Sequence, residues 1–235
     1  MAFFRGPNVV TNGLVLALDA ANPKSYVSGS TTWNDLSGNG YNGTLLGSNI
    51  PTYSTSSGGS LSFPGGAFNN SYVSEYSIPD SFWNAGSWSV SAWVKFNAVN
   101  IGGSNDNAII GHGVSAANTQ IHIGERTARV QFGLYNNDLL GTIPLLANTF
   151  YNIVWTLNYS SSLKQIYLNS VFDTSGGTVG YTGTGTNTRI GSYSVGTFGL
   201  CLNGNLYNIQ FYNKVLSSTE VLQNYNALKS RFNLN

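Results

Sequence analysis

Between residues 87 and 96 apolar and polar side chains alternate. Trp88, Val90, Ala92, Val94 and Phe96 fall on one side of a period-two ribbon, and Ser87, Ser89, Ser91, Trp93 and Lys95 on the other. Such alternation predicts a strand with one buried face and one solvated face. Trp93 stands against the pattern, a large aromatic among serines, and its face is either core or a platform for a ligand. The same period recurs at 150–158, with Tyr151, Ile153, Trp155 and Leu157 on one side; a short Ser-rich turn and the segment 163–169 follow, so these two form a predicted hairpin. Further strands are predicted at 13–20, 60–63, 71–73, 108–112, 120–123, 128–135, 188–191 and 203–213, with 60–63 and 71–73 as hairpin partners around Pro64-Gly65-Gly66. Asn-, Gly- and Ser-rich stretches at 33–45, 97–107 and 176–185 predict ordered loops, because those residues supply left-handed backbone and side-chain turns. Only the C-terminal segment carries a helical period. Ser217 with Glu220 fits a capping box, and Val221, Leu222, Tyr225, Leu228 and Phe232 mark one face of a helix over about 217–232, with Lys229 and Arg231 near its end. About a dozen strands and one short terminal helix predict an all-β fold, a two-sheet antiparallel jelly-roll sandwich.

Composition narrows the functional classes. The chain has 235 residues, read as an N-terminal arm over 1–11 and a single domain over 12–235. Hydrophobic residues at 41% and aromatics at 13% suffice for a sizeable core. Charged residues make up only 8%, about a third of the usual share, so Ser, Thr, Asn and Gly must form the polar surface. Ten Lys and Arg against nine Asp and Glu give a net charge of +1, scattered rather than clustered. That leaves no electrostatic footprint for nucleic acid and no polybasic membrane anchor. Cys201 stands alone, so no intrachain disulfide exists. Met1 to Pro7 lacks the charged and apolar regions of a secretory signal, and no run reaches the roughly 18 apolar residues of a membrane span.

Several segments carry a resemblance in order along the chain. These are Leu14-Val15-Leu16-Ala17-Leu18-Asp19-Ala20, Trp33-Asn34-Asp35-Leu36-Ser37-Gly38-Asn39-Gly40, Ser91-Ala92-Trp93-Val94-Lys95, Tyr151-Asn152-Ile153-Val154-Trp155, Ile166-Tyr167-Leu168-Asn169, Arg189-Ile190-Gly191 and Asn203-Gly204-Asn205-Leu206-Tyr207-Asn208-Ile209. Together they resemble the laminin-G-like, concanavalin-A-like jelly-roll superfamily over roughly residues 12–233. The segments 1–26 and 220–232 are similar to virion proteins of tailed phages, notably cyanophages. The resemblance implies a non-catalytic virion surface protein, a capsid decoration or tail-fibre component. Its partners would be other capsid or tail proteins, host or environmental glycans, and further copies of itself. Localisation on the virion, a ring or trimer, and burial of Phe3 and Phe4 by a partner follow as expectations. Members of this superfamily commonly carry Phe-Asp-Gly and Asp-Tyr-Val where this chain has Phe63-Pro64-Gly65 and Ser71-Tyr72-Val73, so the function of those carboxylates does not carry over.

The side-chain inventory argues against catalysis. A retaining glycosidase needs two carboxylates about 5 Å apart, and hydrolases of this fold place them alternately on one strand. No two acids of this chain lie within four residues of each other, so no strand presents that pair. Lyases of this fold use His and Tyr with Arg or Gln, which draws attention to His122, Arg129 and Gln131, although His112 and His122 each also read as bonded strand residues. No cofactor is expected. Calcium is the one ion whose oxygen ligands the loops supply, with Asp35 and Asp106 as candidate ligands. Glycan binding would use loop aromatics as sugar platforms, and Tyr41, Tyr53, Tyr76, Trp83 and Tyr181 are the candidates. The alternatives to a virion protein are a stand-alone lectin-like module and a glycan hydrolase or lyase.

Overall fold

The computed structural model describes residues 7–66, 70–75, 78–84, 86–100, 106–114, 116–177, 188–193 and 201–234, and the statements below concern these. In chain order they form β1 (Leu14–Asp19), β2 (Thr32–Trp33), β3 (Gly43–Leu46), β4 (Thr52–Ser54), β5 (Ser60–Pro64), β6 (Tyr72–Glu75), helix α1 (Asp80–Trp83), β7 (Trp88–Phe96), β8 (Asn107–Gly113), β9 (Gln120–Arg126) and β10 (Arg129–Gly133). There follow β11 (Asp138–Leu140), β12 (Phe150–Asn158), β13 (Leu163–Leu168), β14 (Val171–Gly177), β15 (Thr188–Ile190), β16 (Asn203–Tyr212) and helix α2 (Ser218–Leu228), prolonged by a 3-10 turn at Lys229–Phe232. Two eight-stranded sheets result. Sheet A runs β14-β13-β12-β7-β16-β5-β4, with β1 also paired to β16, and sheet B runs β11-β10-β9-β8-β15-β6-β3-β2. All pairings given for these strands are antiparallel, as the predicted jelly roll requires.

The alternation along β7 sets the core. Trp88, Val90, Ala92, Val94 and Phe96 face inward beside Ile153, Trp155 and Leu157 of β12, and meet Ile121, Ile123, Val130 and Phe132 of sheet B. Each large apolar side chain so buried stabilises by about 1.5–3 kcal/mol. The predicted hairpin of β12 and β13 is present, with Trp155 opposite Ile166.

The other face of β7 corrects the expectation of a solvated surface. Ser89, Ser91 and Trp93 are all buried, because β7 sits mid-sheet under a second layer. Phe232 stacks on Trp93 at 4.3 Å between ring centroids, and Tyr225 at 5.4 Å. Ser89 Oγ donates to the Lys214 carbonyl at 2.7 Å and accepts from Leu216 N at 2.9 Å, fixing the chain that leads into α2. The Ser217–Glu220 capping box forms as predicted, but Leu222 points to solvent and Asn224 takes the buried position. Asn224 Oδ1 accepts from Val10 N at 2.8 Å, and Gln223 Nε2 donates to the Asn8 carbonyl at 2.8 Å. The last residues of the N-terminal arm are thereby tied to the C-terminal helix.

Three further expectations change. β5 and β6 are not hairpin partners, since β5 pairs with β4 and β16 in sheet A while β6 pairs with β3 and β15 in sheet B. The predicted loop at 33–45 holds the ends of β2 and β3. Gly176 and Gly177, assigned to a loop, complete β14, whose mostly exposed residues Val171–Gly177 lack the contrast that alternation needs.

Candidate functional site

The outward face of sheet B carries a connected cluster of polar side chains. On β9, Ile121 and Ile123 enter the core, so Gln120, His122, Gly124 and Arg126 face outward; on β10, Val130 and Phe132 enter the core, so Arg129, Gln131 and Gly133 face outward. A two-residue turn joins these strands, with Thr127 and Ala128 at φ of 51° and 56°, and it sets Arg126 opposite Arg129, Gly124 opposite Gln131 and His122 opposite Gly133. On the other side His122 is opposite Gly111 of β8. With glycine on both flanks, the imidazole lies across Gly133, where a Cβ would collide with the ring. It reaches Asp138 of β11, with His122 Nε2 3.0 Å from Asp138 Oδ1.

From Asp138 the bonds close a ring of side chains. Arg126 Nη1 donates to Asp138 Oδ2 at 2.6 Å, and Arg126 Nε and Nη2 donate to Asp106 at 2.9 and 2.6 Å. The Tyr193 hydroxyl lies 3.1 Å from Asp106 Oδ2 and 3.0 Å from Gln131 Oε1. Gln131 Nε2 donates back to Asp138 Oδ2 at 3.2 Å. Tyr193 also meets the His122 ring edge-on at 5.6 Å. His122 is 5% exposed, and its Nδ1 has no hydrogen-bond partner among the described residues. A buried polar atom in that condition is costly unless water or a ligand completes it.

The electrostatics separate the two carboxyl groups that matter. Burial would raise the Asp138 carboxyl, but its bond to His122, the charges of His122 and Arg126, and the Gln131 amide hold it down at about 2. Burial would lower the Arg126 guanidinium, yet the bonds and charge of Asp106 keep it above its ordinary value. Burial and the neighbouring Asp106 push the Tyr193 phenol well up. Glu125 is the contrasting carboxyl. It lies on the core side of β9, opposite Val130, and burial raises it despite donors from Asn107, Asn100 and Ala128.

The sequence-level candidates distribute differently. Gln131 and His122 join the network, while Arg129 turns aside and donates to the Gly141 and Thr142 carbonyls. Trp83 is 0% exposed, bonded through Nε1 to Thr188 and packed against Trp88 and Phe211, so it cannot offer its face to a sugar. Tyr53 stacks on Tyr26 and Tyr41 packs on the core, both partly buried, and they form no shared platform with Trp83. Tyr76, Tyr181, Phe3 and Phe4 lie outside the described residues. Asp35 organises its loop by accepting from Ala17 N, Ser37 N, Ser37 Oγ and Tyr41 N at 2.7–3.1 Å. Asp106 holds Arg126, so a calcium ion there would have to displace a guanidinium. Among the described residues no group of three or more His, Cys, Asp or Glu is arranged for a metal ion. Arg126, Asp138 and Tyr193 were not among the candidates read from the sequence; the signal for Arg126 was the outward alternation of β9 ahead of a tight turn, whereas Asp138 on β11 and Tyr193 after β15 are brought in by strand order.

The sequence profile of the concanavalin A-like lectin/glucanases superfamily matches residues 66–222. The chain belongs to that superfamily. No curated protein matches it. Among solved structures, domain 4 of an extracellular arabinanase from Geobacillus stearothermophilus, in complex with arabinotriose, is 16% identical with a TM-score of 0.65, covering 90% of this chain and 98% of that one. The structure concerning botulinum neurotoxin type C and its interaction with two ganglioside molecules is 15% identical with a TM-score of 0.66, covering 93% of this chain and 52% of that one. Trypanosoma rangeli sialidase is 14% identical with a TM-score of 0.65, covering 98% of this chain and 37% of that one. At these identities the likeness is one of fold. The superfamily member described here is therefore a lectin-like jelly roll whose site must be argued from its own residues.

Proposed function

We propose that this chain is a non-catalytic glycan-recognition module whose binding surface is the outward face of sheet B around His122. The carrying observation is the closed ring of Asp138, Arg126, Asp106, Tyr193 and Gln131 with His122 bonded to Asp138, held rigid while His122 Nδ1 has no hydrogen-bond partner among the described residues. The buried members Gln131, Tyr193, Asp106 and His122 hold the partly exposed Arg126 and Asp138 in place, so that these two can meet sugar hydroxyls without first paying to become ordered. The neighbouring folds support the choice of ligand, since one was solved with arabinotriose and another concerns gangliosides.

The same geometry weighs against hydrolysis. A glycosidase acid needs a raised pKa, whereas Asp138 is held at about 2, and Glu125 faces the core. Glycan-array binding by the wild type and by Arg126→Ala, whose side chain is partly exposed, tests the reading. Specific binding lost in the variant is expected; an array without any binder, or release of reducing ends or unsaturated sugars from bound glycans, overturns it.

We further place the module on a tailed-phage particle, as a capsid or tail component. That placement rests on the two terminal segments similar to virion proteins. Parts of these segments meet on the outer side of sheet A, through Val10 with Asn224 and Asn8 with Gln223, away from the proposed glycan face. Such an arrangement suits mounting by one side and recognition by the other. Mass spectrometry of purified particles is expected to find the protein at stoichiometric copy number, and its absence from them rejects the placement.

A further inference from the structure

A concavity lies on sheet A, at the β4 edge. It is a cleft of about 420 Å³ lined by Ser48, Asn49, Ile50, Thr52, Ser62 and Pro64, within the ~300–1,000 Å³ of small-molecule sites. Thr52 is opposite Ser62 and Ser62 lies near Asn205 in the next strand pairing, so outward-facing hydroxyls and amides continue from the cleft across β4, β5 and β16. Asn205 Nδ2 donates to Asn97 Oδ1 at 3.3 Å, and Asn97 Nδ2 to Asn203 Oδ1 at 3.1 Å, extending the amide row.

One wall of the cleft is fixed. Asn70 Oδ1 accepts from Ser48 Oγ at 3.0 Å and from Asn49 Nδ2 at 2.6 Å, Asn70 O accepts from Asn49 N at 2.8 Å, and Asn70 Nδ2 donates to the Gly65 carbonyl. Gly47, at φ of 122°, lets the chain pass the Asn70 backbone where a Cβ would collide. The loop from 47 to 50 is thereby held over β4 by a single hub.

The six lining residues include no charged side chain. A phosphate, carboxylate or metal ion would lose hydration there with no opposite charge in return. Ile50 and Pro64 offer small apolar faces, and Ser48, Asn49, Thr52 and Ser62 offer donors and acceptors. We infer that this cleft is a second ligand site, taking an uncharged polyhydroxylated ring whose C–H face rests on Ile50 and Pro64 and whose hydroxyls meet the hydroxyl and amide row. It is independent of the sheet B site, so either can fail without the other. The cleft is open and has no aromatic floor, and the expected Kd is on the order of 1 mM.

The test is a backbone amide NMR titration of the full chain with maltose, cellobiose, lactose and N,N′-diacetylchitobiose, each to about 50 mM, far above that Kd. At least one sugar is expected to shift the amides of Ser48, Asn49, Ile50, Thr52 and Ser62. Thr52→Arg, which fills the cleft from an exposed edge position, should weaken that response at least tenfold, as should Asn49→Ala. The inference is overturned if none of the four sugars moves these amides, or if the shifts persist unchanged in both variants. Shifts confined to residues 120–138 would likewise overturn it while supporting recognition on sheet B.

Discussion

A methyl group added at Gly133 would meet the His122 ring, so the imidazole has its place only because β10 carries no side chain there. Gly133→Ala should cost about 1–3 kcal/mol by overpacking and displace His122 from Asp138. Urea unfolding checks the first effect, and loss of array binding the second. The other histidine makes a pH prediction. His112 is 0% exposed, stacked on Trp83 and 3.2 Å from Thr188 Oγ1, and burial lowers it from 6.5 to about 4 despite the nearby Asp80. Because its folded value lies below the unfolded one, the unfolded chain binds the extra proton first. Its stabilising contribution is complete above about pH 6.5 and is lost as pH falls toward 4, to the extent of about 3 kcal/mol. Urea midpoints between pH 7 and 4 should show this slope, and His112→Gln should flatten it. A slope equally steep in the variant would assign the loss to other groups. Asp138, also lowered when folded, acts in a more acidic window, from about 3.8 down to 2.

At the scale of elements, the C-terminal helix acts as a lid over the outer face of sheet A. Trp93 is 1% exposed beneath Phe232 and Tyr225, which settles its face as core. Trp93→Ala should cost about 3–5 kcal/mol in denaturant unfolding; a cost near zero would mean the helix does not hold it. Arg231 pins the end of this lid. Its Nη1 bonds Asp19 Oδ1 at 2.8 Å, its Nε bonds the Ser57 carbonyl at 2.6 Å, and its Nη2 bonds the Gly59 carbonyl. The sequence placed Arg231 near a helix terminus, where a cation favours the dipole. Its main partners come from β1 and from the turn after β4, which no helical period could announce. Arg231→Ala is expected to increase amide exchange at 218–232 well before it affects β7 and β12, because the lid loses a tether while the sandwich keeps its core.

At the scale of the molecule, the two outer faces have different assignments. On sheet A, α2 and the residues before β1 cover the middle strands, β14 is exposed at one edge and the small cleft opens at the β4 edge; sheet B carries the His122 network. Attachment of the chain to a sensor surface through its C-terminus should leave sheet B binding as strong as in solution. Matching Kd values from surface and solution measurements check this. A strong loss on attachment would place the glycan contact near α2 instead.

The sequence by itself determined the all-β sandwich, the inward set of β7 and β12, and the capped terminal helix. These follow from periods of 2 and 3.6 residues and from capping chemistry, all local properties of the chain. It also singled out His122 and Gln131, though with Arg129 rather than with Arg126, Asp138 and Tyr193. What lay on the far side of each strand had to come from the tertiary structure. A period of two says which residues share a face but not what covers that face, so Trp93 could be read either way until α2 was in place. The polar ring joins positions from 106 to 193, and those residues come within 2.6–3.2 Å only through strand order, register and the glycine beside His122. Trp83 gives the converse case, since a residue in a short loop-like segment became core once α1 folded against β7 and β16.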